Sequence, residues 1–359
     1  MYKGVLLGHP LMSQCNKFLN RHKPLTHQQW LRRIEESSEL GLEIDFYNNG
    51  PAIALLEQKM ANILGKEQAL FVHKGMVGQH SALLHWSSQS QYNKIAIHPQ
   101  SHMQLDEELA YQKLLGLQAV MFGKENQALN NHDINALPKD LSSICVELPL
   151  RRSGFQLPKW QDLQYLKEFS LDSKIPLHID GARLFEAACY WNKPYKELAS
   201  LGDSVYVSLY KTLGAAAGGI VAGDSKVIQQ LKPWRTRLGG DLPTAFPYVL
   251  TALWGLENYL PRVPEFYQRA CELSTLIISR LGQEAIPNPV QSNGFLVELA
   301  IDAKTLEDRA LELAETRKIW LFDRIMPVGD NRCRFELQVG DALDDWQNCE
   351  PVDLLESLL

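Results

Sequence analysis

Two short runs end apolar strands on side chains that can do chemistry. "IPLHID" stops at a carboxylate, Asp180, and Arg183 follows three residues later. "SVYVSLYK" closes on Ser208 and Lys211, and the run from Gly214 to Gly219 is all glycine and alanine. In open α/β sheets, ligands bind outside the carboxyl ends of the strands. Small residues beside Lys211 let the backbone pass close to a bound molecule. They also leave the amine partly desolvated, which lowers its pKa and makes it a nucleophile. Each residue also has a bland reading: Asp180 as a helix cap, Arg183 as a helix-surface arginine, Lys211 as solvated surface.

Together, a lysine, an aspartate and an arginine at neighbouring strand ends suit pyridoxal 5'-phosphate. The lysine holds the aldehyde as a Schiff base. The carboxylate keeps the pyridine nitrogen protonated, so that the ring can accept electrons. "HKGMVGQ" then supplies a phosphate site. A glycine between strand and helix presents free N–H groups and the positive helix end, which suit a dianion. Gly75, Met76 and Val77 are the expected donors, joined by the Ser208 hydroxyl.

The elements that must position these residues alternate along the chain. "PAIALLEQKMANILG" opens on Pro51 and ends on Gly65, a well-punctuated helix. Strand "QALFVHKG", helix "GMVGQHSALLHWSS", strand "KIAIHP", helix "DEELAYQKLLG", strand "AVMFG" and strand "SSICVEL" follow. Helix "WQDLQYLKEFSLDSK" leads into the Asp180 strand, helix "ARLFEAACYW" into the Lys211 strand, and "GGIVAG" is one strand more. Such alternation predicts a mostly parallel sheet with helices on both faces. Beyond about residue 260 the texture changes, with "NYLPRVPEFY", strand "GFLVELAI", helix "DAKTLEDRALELAETRK" and strand "RCRFELQV". The expected organisation is an N-terminal segment (1–44), a large domain (45–260) and a small C-terminal α/β domain (261–359).

At these residues the chain resembles the threonine aldolase (β-eliminating lyase) family of fold-type I pyridoxal-phosphate enzymes. "LHIDGARLFEA" is similar to that family's segment around the pyridine-binding aspartate, and "SLYKTLGAAAGGIVAG" to its Ser-x-x-Lys segment. The resemblance implies the fold-type I transferase-like architecture and a lyase that splits threonine or allo-threonine into glycine and acetaldehyde. It implies that Lys211 bonds the cofactor, that His102 stacks on the ring and moves protons, and that Arg334 with Arg183 holds the substrate carboxylate. It also implies that Tyr47 reaches an active site, in the same subunit or a partner's, within a homodimer or homotetramer. His98 competes with His102 for its role, and Arg332 with Arg334.

Three stretches depart from the family pattern. "LLGHPLMSQCNKFL" does not match the opening segment. The phosphate turn reads His73-Lys74-Gly75-Met76, which loses a hydroxyl and gains a lysine. The strand ending in Glu147 continues "LPLRRSGFQLP", with Arg151 and Arg152 but no second histidine to serve the substrate hydroxyl. Two other readings therefore stay open: a different pyridoxal-phosphate reaction (β-elimination, racemisation or transamination), or a fold relative that binds without turnover.

Composition narrows the remaining classes. The 359 residues are 45% hydrophobic and 22% charged with net charge −6, in the range of soluble globular proteins. No basic tract suggests nucleic acid as a partner. The six cysteines are scattered and never spaced as C-x-x-C, which points to no metal site and to a reducing cytoplasm. No apolar run is long enough for a bilayer or a secretory leader. A small amino-acid substrate is the expected partner.

Overall fold

The apolar runs form one seven-stranded sheet in the computed structural model, which describes residues 6–347 and 349–359. Its strands are β1 (Gln68–Val72), β2 (Lys94–Ile97), β3 (Gln118–Met121), β4 (Ser143–Glu147), β5 (Leu177–Asp180), β6 (Ser204–Ser208) and β7 (Gly219–Gly223). They lie in the order β1-β7-β6-β5-β4-β2-β3. Strands β2 to β6 pair in parallel, and β7 runs antiparallel to both β1 and β6. Every residue of β5, β6 and β7 is buried. This is why their sequences read as continuous apolar runs rather than alternating ones.

The connections explain themselves locally. The helix Pro51–Leu64 opens with proline, whose missing N–H costs nothing at a first turn. It closes on Gly65 in the left-handed conformation, φ 61°. One expectation fails. "DEELAYQKLLG" is not a helix throughout, and only Ala110–Lys113 takes that form. Glu108 and Leu109 adopt φ 51° and 56°, which no right-handed helix tolerates. The side chains of Asp106 and Glu107 just before this break line a cavity.

The chain divides into two compact units. Leu25–Pro261 carries the seven-stranded sheet; Arg262–Leu359 joins the described part of the first 24 residues. The stretch 1–44 is thus shared between the two. In the smaller unit, Cys333–Gln338 is the middle strand of a three-stranded antiparallel sheet, between Ile325–Pro327 and Gly294–Leu299. Lys17–Phe18 pairs in parallel with Ile319–Trp320. Val263–Leu281 is a long helix in spite of its proline, because Pro264 sits in the first turn. No helix among the described residues is long and apolar enough to cross a membrane.

Candidate active site

The carboxyl ends of β4, β5 and β6 are adjacent. Glu147 is the register partner of Asp180, and Asp180 that of Tyr206. A cavity of about 260 Å³ opens at this edge of the large unit. Gly75, Met76, His102, Glu147, Arg183 and Lys211 are among the residues that line it.

Asp180 is 1% exposed, and its Oδ1 accepts from Ala182 N–H at 3.2 Å. Its Oδ2 lies 2.6 Å from His102 Nε2. Burial alone would push this carboxyl up, but the His102 and Lys211 cations outweigh it and hold it at about 2. The histidine responds in mirror image. Burial would lower it, yet Asp180, Glu107 and Glu147 raise it to about 10. In the ligand-free protein Nε2–H therefore donates to Asp180 as an imidazolium.

Glu147 places that histidine. Its Oε2 accepts His102 N–H at 2.8 Å, pinning the short helix His102–Leu105 to the end of β4. Its Oε1 accepts Arg151 N–H at 3.3 Å. Burial and then Asp180 push its pKa up, against the pull of His102. Ligand-type atoms of His102, Glu147 and Asp180 all lie within 4.8 Å of one another.

Lys211 lies in the loop between β6 and β7, its Nζ 5.8 Å from the centre of the Tyr210 ring. Burial first and Arg183 second lower its pKa to about 7, although Asp180 and Glu147 oppose them. An amine held there is half unprotonated near neutrality, the state that attacks a carbonyl. Thr212, the next residue, donates to the buried carboxylate of Glu186 and fastens the loop to the helix Leu184–Trp191. Arg183 stands just before that helix, 7% exposed, with its guanidinium 5.4 Å from the Phe155 ring centre.

Gly75 begins the helix Gly75–Ser88, and Lys74 precedes it without a side-chain cap. A Cβ at position 75 would run into the Tyr206 hydroxyl. Val77 is placed differently from the sequence expectation. Its N–H is engaged by Lys74 O at 3.0 Å, and it packs with Leu70, Val72 and Tyr206 rather than lining the cavity. Ser208 Oγ is buried with no hydrogen bond of normal geometry.

The rival histidine is accounted for by its bonds. His98 Nε2 donates to Lys124 O at 3.1 Å, and Nδ1 accepts from Gln100 N–H at 3.0 Å. Both ring nitrogens are used in holding the loop after β2, and His98 does not line the cavity. Tyr47 is exposed at φ 46° and does not line it either. Arg334 belongs to the smaller unit, where its Nε donates to Glu298 at 2.7 Å; Arg332 Nη2 lies 3.4 Å from the same carboxylate. Arg151 lines the cavity, while Arg152 grips Asp106, with Nε at 3.0 Å.

Sequence reasoning missed Gln79 and Glu107. Gln79 is fully buried, and its orientation is set by a directed chain of bonds. Trp86 Nε1–H donates to Ser204 Oγ at 3.0 Å, Ser204 lies 2.8 Å from His178 Nδ1, and His178 Nε2 lies 2.7 Å from Gln79 Oε1. Burial lowers His178 to about 4, so it is neutral and donates from Nε2. Gln79 lines the cavity, and its buried Nε2 is left without a partner. Its position four residues after Gly75, on one helix face, was the available signal.

A family profile described as Beta-eliminating lyase matches residues 34–302, most of the chain. The chain belongs to the beta-eliminating lyase family. Among solved structures, this lyase is similar to a putative L-allo-threonine aldolase from Listeria monocytogenes. The two are 31% identical with a TM-score of 0.90, over 97% of each chain. Low-specificity L-threonine aldolase 1 of Arabidopsis thaliana is 25% identical over 77% of this chain and 80% of its own length. Alanine racemase TOXG of Cochliobolus carbonum is 29% identical over 67% of this chain and 62% of its own. The mostly parallel α/β architecture is thus that of fold-type I lyases.

Proposed function

We propose that this lyase binds pyridoxal 5'-phosphate and cleaves the Cα–Cβ bond of a β-hydroxy-α-amino acid, threonine or allo-threonine, to glycine and acetaldehyde. The observation that carries the proposal is the convergence of Lys211, the Gly75 turn and the Asp180-bound His102 on one cavity, in a chain of this family. The residues fit the cofactor. Gln79 Nε2 is a buried polar atom without a partner, and Gly75, backed by the Tyr206 hydroxyl, has no room for a Cβ. Asp180 is anionic, as a pyridinium partner must be.

Bound there, the cofactor supplies conjugation that takes up the electrons left on Cα when a bond to it breaks. The protein does the rest. Lys211 would provide the amine that holds the aldehyde. Asp180 would keep the ring nitrogen protonated. Gly75 and Met76 N–H groups, with Ser208, hold the phosphate, and Lys74 adds charge beside it. Arg183 grips the substrate carboxylate bidentately and so orients which Cα bond can break. Arg334, the other arginine the resemblance implies for the carboxylate, donates to Glu298 within the smaller unit. His102 takes the hydroxyl proton.

The racemase relative gives the second reading its footing, since racemisation uses the same ring and lysine. Incubation with L-threonine and L-allo-threonine separates the two. Glycine and acetaldehyde in equal amounts support the proposal; D-isomers, or 2-oxobutyrate with ammonia, overturn it. The proposal includes a cytoplasmic homodimer or homotetramer. In support, Leu40, Leu42, Ile44, Phe46 and Tyr47 form an exposed apolar run on the large unit. A monomer by light scattering would count against that assembly.

A further inference from the structure

The missing second histidine leaves the hydroxyl proton to His102, which the ligand-free protein holds as a cation against Asp180. A second carboxylate stands at its other nitrogen. Glu107 Oε1 lies 3.6 Å from His102 Nδ1, while Asp180 holds Nε2. The neighbouring carboxylates are committed. Glu147 accepts two backbone N–H groups, Asp106 is gripped by Arg152, and Asp180 accepts from Ala182. Among the described residues lining the cavity, Glu107 is the carboxylate whose side chain makes no closer bond.

We infer that Glu107 is the positioning residue of a Glu107–His102 pair: it holds Nδ1–H, so that Nε2 becomes the proton acceptor for the substrate's β-hydroxyl once Asp180 is engaged by the ring nitrogen. A carboxylate on one imidazole nitrogen fixes the tautomer and raises the basicity of the other. The inference rests on the lyase reading above. In the step itself the β-O–H bond breaks and its proton passes to Nε2. The O–H pair becomes the second C–O bond of the aldehyde. The Cα–Cβ pair stays with Cα, is taken up by the conjugated ring, and returns when Cα is protonated to give glycine.

The groups facing His102 are Asp180 from β5, Glu147 from β4, His80 from the helix Gly75–Ser88, and Glu107 and Asp106 from its own segment, with Arg152 on Asp106. Only Glu107 and Asp180 reach its ring nitrogens within 4 Å in an ion pair, among the described residues.

Two readouts test the pair on the full-length protein. In the cofactor-loaded enzyme, E107Q and E107L should lower kcat about 10- to 100-fold with KM little changed. The acid limb of kcat/KM should move to lower pH in both, because a nearby anion stabilises the imidazolium. E107D should restore part of both effects. Independently, 15N spectra of the imidazoles, with the His102 signal assigned from H102N, should place the wild-type proton on Nδ1 in the loaded protein and show mixed tautomers in E107L. They should also show a lower His102 pKa in cofactor-free E107Q than in cofactor-free wild type. Wild-type limbs, rates and tautomer signals in the variants overturn the inference. A wild-type protein that releases no glycine sinks the lyase reading instead, and the spectra still decide whether Glu107 holds His102.

Discussion

Replacing Asp180 with Asn removes one charge from the cavity while keeping its shape and an acceptor oxygen. The Asp180–His102 pair is 1% exposed on one side chain and 22% on the other, with 2.6 Å between Oδ2 and Nε2. His102 stands at about 10 against an ordinary 6.5. At about 1.4 kcal/mol per unit, linkage caps the pair's contribution near 5 kcal/mol. Asp180, held at about 2 against 3.8, reports the same interaction from the other side and is not added. Removing one partner of a buried pair costs ~3–5 kcal/mol, of which a neutral hydrogen bond to Asn retains about 1. A loss of about 2–4 kcal/mol is therefore expected near pH 6.

The pH dependence is the sharper signature. A raised histidine contributes fully below 6.5 and loses that contribution as pH climbs through about 10. A depressed carboxyl contributes above 3.8 and loses it as pH falls through about 2. The pair is thus fully present between about pH 4 and 6.5. Urea unfolding of the cofactor-free wild type and D180N, at about pH 6, 8 and 10.5, should show a gap that narrows steadily. A gap constant across that range would refute the pairing.

Three further outcomes are expected. Borohydride reduction of the loaded protein should fix the cofactor on the peptide containing Lys211, and K211A should retain none; a label elsewhere would remove the central amine. G75A drives a methyl group against the Tyr206 hydroxyl, so it should weaken pyridoxal-phosphate binding by about tenfold or more and cost ~1–3 kcal/mol of stability; an unchanged Kd by fluorescence titration would count against the cradle. H98A loses two loop-holding bonds and should lower stability by about 2 kcal/mol while leaving kcat intact; a collapse of kcat with unchanged stability would return His98 to the chemistry.

The strand ends were legible in the sequence because burial on both faces leaves an apolar run, and a charged residue closing such a run stands out. Asp180 and Lys211 could be found that way, and Gly75 as the glycine between a strand and a helix. The two histidines could not be separated, since both follow β2 within a few residues and both titrate near neutrality when free. Their difference lies in partners distant in sequence: Lys124 O claims His98, and Glu147 claims the backbone of His102. Glu107 was hidden by its neighbours. "DEELAYQKLLG" carries the charge pattern of a solvated helix, and nothing local announces that Glu108 and Leu109 break it. The engagement of Val77 was hidden for a related reason, as a helix turn can close on its own carbonyl.

The electrostatics of the cavity also explain why an arginine should stand three residues after the aspartate. Asp180 has to be anionic to hold a protonated ring nitrogen, but the same charge stabilises the ammonium of Lys211 and would keep it from reacting. Glu147 adds to that error. Burial works in the opposite direction, and Arg183 is the next largest influence lowering Lys211, so the lysine stands at about 7 in spite of two carboxylates. A neutral residue at position 183 would therefore damage the site twice, by releasing the substrate carboxylate and by letting Lys211 drift back toward the ammonium. Lysine at 183 separates the two roles. It keeps the charge that lowers Lys211 but lacks the planar fork, so R183K should raise KM for the amino acid while the pH at which the lysine–cofactor absorbance titrates stays close to wild type. A large upward shift of that titration in R183K would show that the charge at this position acts through geometry which lysine cannot reproduce.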